Sequence, residues 1–164
     1  MKRHLYLIAF FSGIGLSLNA QSNSYSEVYE SLKTNDSLIF DRSFNNCELD
    51  YFEQFITDDF EFYHDIAGII NSKKQFIQTI KDGVCKSGSS TKSTRELVEG
   101  SLEVFLLKNN GNIYGALQNG IHKFYETTNG NKVAGSTAKF SHLWLLENGK
   151  WVLKRVFSYD HQMK

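Results

Sequence analysis

Asn148-Gly149 stands between two apolar runs in the stretch from Ala138 to His161, and this dipeptide constrains the chain more than any other. Both residues tolerate positive φ, so the pair specifies a two-residue hairpin turn. Such a turn sets the register: Glu147 faces Lys150, then Leu146 faces Trp151, Trp144 faces Leu153, His142 faces Arg155, Phe140 faces Phe157 and Ala138 faces Tyr159. Side chains alternate along a strand, so these pairs share one face, the bulky and therefore core-directed one. The other face carries Lys139, Ser141, Leu143 and Leu145 against Ser158, Val156, Lys154 and Val152. The expected core face thus sets a histidine, an arginine and a tyrosine among aromatics, which is the pattern of a pocket rather than of a plain core.

Upstream, Ser24 and Glu27 have capping-box spacing, and Val28, Leu32, Ile39 and Phe44 continue a helical pattern over 25 to 45, irregular near 34 to 36. A second short helix is expected over 47 to 56. The segment 60 to 65, FEFYHD, alternates as a strand with Phe60, Phe62 and His64 inward. Ser72 then caps a third helix from 73 to about 84. Residues 86 to 94 read as a surface loop, since they match no phosphate-loop spacing. Strands follow over 96 to 108 and 113 to 126, joined at Asn110-Gly111, and a long polar loop is expected over 127 to 137. Helices first and strands afterwards predict an α+β fold with the helices on one face of a curved sheet.

The first residues, Met-Lys-Arg-His, an apolar segment from Leu5 to Leu18 and the sequence Leu18-Asn19-Ala20 read as a secretory signal peptide cleaved after Ala20. The apolar run falls short of the ~20 residues that span a bilayer, so no membrane attachment is expected after cleavage. The expected division is therefore residues 1–20 as leader and 21–164 as one exported domain, periplasmic or secreted. Without Lys2 and Arg3 the chain has a slight acidic excess, which argues against a nucleic-acid partner. In an oxidising compartment Cys47 and Cys85 read first as one disulfide; two free buried thiols or a reactive cysteine are the alternatives.

The segments FYHD (Phe62 to Asp65), GSLEVF (Gly100 to Phe105), IHKFY (Ile121 to Tyr125), FSHLW (Phe140 to Trp144) and WVLKRVFSYDH (Trp151 to His161) resemble the nuclear transport factor 2-like superfamily, and within it an exported bacterial subfamily of unknown function. This superfamily includes ketosteroid isomerase and small polyketide cyclases. The resemblance, over about residues 27 to 161, implies a cone-shaped, strongly curved, mostly antiparallel sheet around N-terminal helices. It also implies a cavity at the open end and frequent dimerisation through the sheet. It does not imply one chemistry, because the fold hosts both enzymes and binding modules.

The candidate ligand-binding residues are His64, His122, His142, Arg155, Tyr159 and His161. No short HxH or HxxxH spacing occurs, and Arg155 beside His142 would repel a cation, so no metal and no cofactor is expected. The dipeptides His64-Asp65 and Asp160-His161 are not dyads, since neighbours on a strand point to opposite faces; a working pair must come from two strands. No serine elbow is present. The resulting expectation is a binding domain for a small apolar or carbonyl-bearing ligand, without turnover. The alternative is a cofactor-independent isomerase, cyclase or dehydratase using His/Asp acid-base chemistry in the same cavity.

Overall fold

The computed structural model describes residues 24–163, so the expected leader lies outside the described residues. Helix α1 (Tyr25–Ser37) starts at the anticipated capping box: Ser24 Oγ accepts from the Glu27 N–H, and the Glu27 carboxylate accepts from the Ser24 N–H at 2.6 Å. The chain then widens into a π-helical segment, Leu38–Asn45, before α2 (Asp50–Phe55) and, later, α3 (Lys73–Asp82). Ser72 caps α3 through the Gln75 N–H.

The strands are β1 (Ile56–His64), β2 (Gly68–Ile70), β3 (Thr91–Leu97), β4 (Glu103–Asn109), β5 (Asn112–Thr128), β6 (Asn131–Glu147) and β7 (Lys150–Met163). They form one sheet in the order β2-β1-β7-β6-β5-β3, with β4 also paired to β5. All ladders are antiparallel except β1 with β7. The fold is α+β: a curved, unclosed, mostly antiparallel sheet with N-terminal helices.

Asn-Gly turns organise the strand half. Asn110-Gly111, Asn129-Gly130 and Asn148-Gly149 all adopt positive φ at both residues, as a tight hairpin requires. The middle turn corrects the loop expected over 127 to 137: β5 and β6 run as seventeen-residue strands almost to Asn129-Gly130. Gly100, at φ +75°, splits the strand expected over 96 to 108 into β3 and β4. The loop expected over 86 to 94 already enters β3 at Thr91.

The register of the last hairpin holds from Glu147↔Lys150 to Trp144↔Leu153 and then shifts. Beyond it Leu143 faces Arg155, His142 faces Val156, and Phe140 faces Ser158. The expected pairing of His142 with Arg155 is therefore corrected, as are Phe140 with Phe157 and Ala138 with Tyr159. Lys154 is the extra residue of a bulge, and one extra residue moves every later side chain to the opposite face. The shift has a physical cause in two cations. It leaves Lys154 hydrogen-bonded to the Asp59 carboxylate, and Arg155 Nε 2.6 Å from Glu61 on the neighbouring strand. An inward Arg155 without a partner would be desolvated at large cost. Val156 and Ser158 are buried in its place, whereas Phe157 and Tyr159 lie on the outer face.

The core between helices and sheet is built on Leu32, Phe52, Phe60, Trp144 and Leu153. Cys47 and Cys85 form a disulfide with Cα atoms 5.6 Å apart, which staples the end of the π-helical segment to the end of α3. Among the described residues, no helix is long and apolar enough to cross a membrane.

Candidate functional site

A cavity of about 180 Å³ lies between the helices and the concave side of the sheet. Its apolar wall comes from the π-helical segment (Phe40, Phe44), β1 (Phe60, Phe62) and α3 (Phe76, Ile80). Period-two alternation delivers the polar wall: His64 on β1, Arg95 on β3, His122 on β5, and His142 and Ser158 on the β6–β7 hairpin.

Arg95 is the centre of the polar wall and is 2% exposed. Its Nη1 and Nη2 donate to the two oxygens of Asp36 at 2.7 and 3.2 Å, and its Nε donates to His122 Nδ1 at 3.2 Å. Its guanidinium carbon sits 3.9 Å from the centroid of Phe40. Asn45 fixes the backbone at this point, accepting from Arg95 N at 2.7 Å and donating to Arg95 O at 2.8 Å. A bidentate pair held this way is a neutral unit with a fixed orientation.

Three histidine tautomers follow from partners that can only donate or only accept. Trp144 Nε1 donates to Gln118 Oε1 at 2.8 Å and Gln118 Nε2 donates to Leu32 O at 3.2 Å, which fixes the Gln118 amide. His142 Nδ1, 3.1 Å from the same Oε1, must therefore carry a proton, leaving the lone pair on Nε2. Arg95 Nε makes His122 Nδ1 an acceptor, so His122 Nε2–H faces Ser158 Oγ at 3.4 Å. The N–H groups of Ile66 and Ala67 both donate to His64 Nδ1 at 3.1 Å, so the His64 proton is on Nε2.

Burial and the neighbouring Arg95 charge push the His122 imidazole down to about 3, and the same two causes hold His142 well below its ordinary value. The cation that acts on His142 is Arg95, not the Arg155 expected beside it from the sequence. Burial and then His161 lower His64. The unfolded chain protonates His122 and His142 near 6.5 while the fold keeps them neutral, so stability falls as pH falls through that value. Asp36 opposes this, because burial, outweighing Arg95, raises its carboxyl and lets the fold take up that proton first. Each ring contributes about 2 kcal/mol between pH 7 and pH 5. Urea titration is expected to show a net loss of roughly 2 to 4 kcal/mol over that interval. A flat or rising profile would mean that neither ring is held neutral by the fold.

The structure separates the sequence-predicted residues into three groups. His64, His122 and His142 line the cavity. His161 stacks on His64 with centroids 4.3 Å apart, and its Nδ1 is 2.5 Å from Asp65 Oδ1. Arg155 and Tyr159 lie on the outer side of the sheet, Arg155 against Glu61. Burial works to raise Asp65, but hydrogen bonds from the His161 N–H and ring hold its carboxyl below the ordinary range. Asp65 and His161 are thus a carboxylate–imidazole pair drawn from the ends of two strands. A second bulge, between Thr137 and Lys139, lies opposite Asp160, whose φ is +58°, and His161 follows it inward.

His64, Asp65 and His161 bring donor atoms within 4.8 Å of one another. The lone pair of His64 Nδ1 is already taken by two backbone N–H groups, and the two rings are stacked at 20°, so their in-plane lone pairs do not converge on a point. The cluster is a hydrogen-bonded pair beside a stacked ring, not the geometry of a cation site. Asp36, Arg95 and Gln118 are not among the residues expected from sequence: Arg95 falls between the loop read over 86 to 94 and the strand expected from 96, and nothing local marks Asp36 as buried.

A helix-lined concave sheet enclosing an apolar cavity with a few fixed polar groups defines a class of small α+β cones. This chain has the nuclear transport factor 2-like fold. No protein-family model matches the sequence and no curated protein matches it. Among solved structures, it is similar to a nuclear transport factor 2-like superfamily protein from Salmonella enterica serovar Typhimurium, with TM-score 0.66 and 16% identity over 83% of this chain and 92% of the other. A nuclear transport factor 2-like protein of unknown function from Pseudomonas putida gives TM-score 0.64 and 11% identity over 83% and 88%. A structure from Catenulispora acidiphila, solved in complex with S-DNPA, gives TM-score 0.63 and 8% identity over 81% and 94%.

Proposed function

We propose that this protein binds a small, mostly apolar molecule in the cavity between the helices and the sheet, without turning it over. The observation that carries the reading is the cavity itself: about 180 Å³ walled by phenylalanines, with a guanidinium neutralised by Asp36 and imidazoles held uncharged. An apolar cavity of ~150 Å³ accepts benzene, whereas drug-sized ligands need ~300 Å³ or more, so the occupant is monocyclic in size. The complex of the similarly folded Catenulispora acidiphila protein with S-DNPA supports the use of this fold for holding a ligand.

The Asp65–His161 pair favours one second reading, proton-transfer chemistry of the isomerase, cyclase or dehydratase kind. It ranks behind binding because His161 is not among the residues lining the cavity. Export to the periplasm or beyond, with a chain starting at Gln21, fits the Cys47–Cys85 bond. A twofold dimer through the outer sheet fits the exposure of Phe105 (50%) and Phe157 (42%), with Phe157 stacked on Tyr63 at 4.9 Å. Sedimentation is expected to give a dimer at micromolar concentration; a monomer would count against that surface.

Native mass spectrometry of protein purified from its own cells tests the reading in one experiment. The expected spectrum shows dimers of a chain beginning at Gln21 with a small molecule retained in each. An unoccupied protein that also takes up no small aromatic compound in solution would overturn it.

A further inference from the structure

A single imidazole lone pair holds the corner where the cavity meets solvent. Among the lining residues, Phe40, Phe44, Phe62, His64 and Phe124 are partly exposed and the others are buried. Four of these five join His161 in a continuous arc of rings, with centroids 6.3 Å apart for Phe44–Phe124, 6.2 Å for Phe124–His161, 4.3 Å for His161–His64 and 5.7 Å for His64–Phe62. This arc is the mouth. His64 also holds the turn over 65 to 67, because its Nδ1 accepts from the N–H groups of both Ile66 and Ala67. Asp65 is tied separately to β7, through its N–H to Ser158 O and its carboxylate to His161. Beyond it the chain is lightly held: β2 is three residues long, pairs with β1 at the sheet edge, and leaves Ile66 67% and Ile69 57% exposed.

Both nitrogens of an imidazolium are donors, so a proton on His64 removes the two hydrogen bonds at once. Asp65 Oδ1 lies 3.5 Å from His64 Nδ1 and attracts that charge, but both Asp65 oxygens are already engaged by the N–H and the ring of His161. His122 on β5 faces the same corner, 6.5 Å from His161, and Arg95 on β3 stands behind it with its charge matched by Asp36. The π-helical segment and α3 line the cavity with apolar side chains. Resting on the ligand-binding reading above, we infer that acid opens this mouth: a proton on His64 Nδ1 releases the turn over 65 to 67, parts the His64–His161 stack and speeds entry and exit of the ligand. Burial and His161 hold His64 below its ordinary value in the closed form, so the open form takes up the proton first. Opening therefore gains as pH falls through about 6.5.

Benzene is the probe, and its dissociation rate from the disulfide-intact protein is read by exchange NMR at pH 7 and pH 5. The rate is expected to rise about tenfold at pH 5, and amide exchange at Ile66 and Ala67, corrected for its intrinsic pH dependence, to rise with it. In His64→Asn the side-chain oxygen accepts from the same two N–H groups, as in an Asx turn, and does not titrate. Its benzene rate and its two amides are expected to change by less than about twofold over that interval. His122 and His142 titrate in both proteins, so an equal rise in the two would belong to those rings and overturn the role of His64. A native rate independent of pH, with benzene bound, overturns the acid-opened mouth while the cavity reading stands. Unchanged protection of Ile66 and Ala67 in the native protein overturns it as well, whether or not the variant folds. If benzene binds at neither pH, the cavity reading and the mouth fail together.

Discussion

Replacing Arg95 by Met is expected to destabilise the protein by about 3 to 5 kcal/mol, because it leaves the Asp36 carboxylate buried without its counter-charge. Asp36 is 2% exposed and takes two hydrogen bonds from Arg95, so no water replaces the lost partner at the surface. The substitution leaves the Asn45 contacts in place, since both use the Arg95 backbone. It also deprives His122 of a donor and of one of the charges that lower its pKa. The combined change Asp36→Leu with Arg95→Met removes both charges at once and is expected to recover most of the loss, as apolar replacements of buried pairs do. Urea unfolding of the single and double variants reads this directly. Equal stability of the two would show that the pair is not a coupled unit.

Breaking the Cys47–Cys85 bond by Cys85→Ser is the second large effect. The bond closes a loop of 38 positions, for which the chain-entropy model gives about 4 kcal/mol. Its local role adds to this, because Cys47 sits at φ +61°, where a non-glycine residue is held only by its surroundings. The π-helical segment that ends just before Cys47 carries Phe40 and Phe44 into the cavity wall, so loosening it disturbs the pocket as well as the fold. The expected result is a matching drop in unfolding free energy on reduction of the native protein and in the Cys85→Ser variant. Two reactive thiols in the unfolded, unreduced protein would show that the bond does not form.

Legibility of the chain followed the range of the interactions. The capping box at Ser24, the cap at Ser72, the hairpin at Asn148-Gly149 and the inward faces of Phe60, Phe62 and His64 are local signals, and each is present in the structure. The Lys154 bulge was not legible because its cause lies on β1: Asp59 and Glu61 take the charges that a regular strand would alternate. That one residue sends Arg155 outward and leaves the guanidinium of the pocket to Arg95 instead. Asp36 and Gln118 were illegible for the same reason, since a polar residue is recognised as buried only when its partners, here on β3, β6 and α1, are known. The pairing of Asp65 with His161 does obey the constraint that two neighbours on one strand cannot form a dyad.

The cavity is the part of the account on which the rest depends, and xenon derivatisation of a crystal measures it most directly. Xenon enters apolar cavities of this size without needing a hydrogen bond. One ordered xenon per chain is expected among Phe60, Phe76 and Ile80, lost when Ile80 is replaced by Trp to fill the space. A chain in which those side chains close on one another, with no xenon between them, would contradict the account.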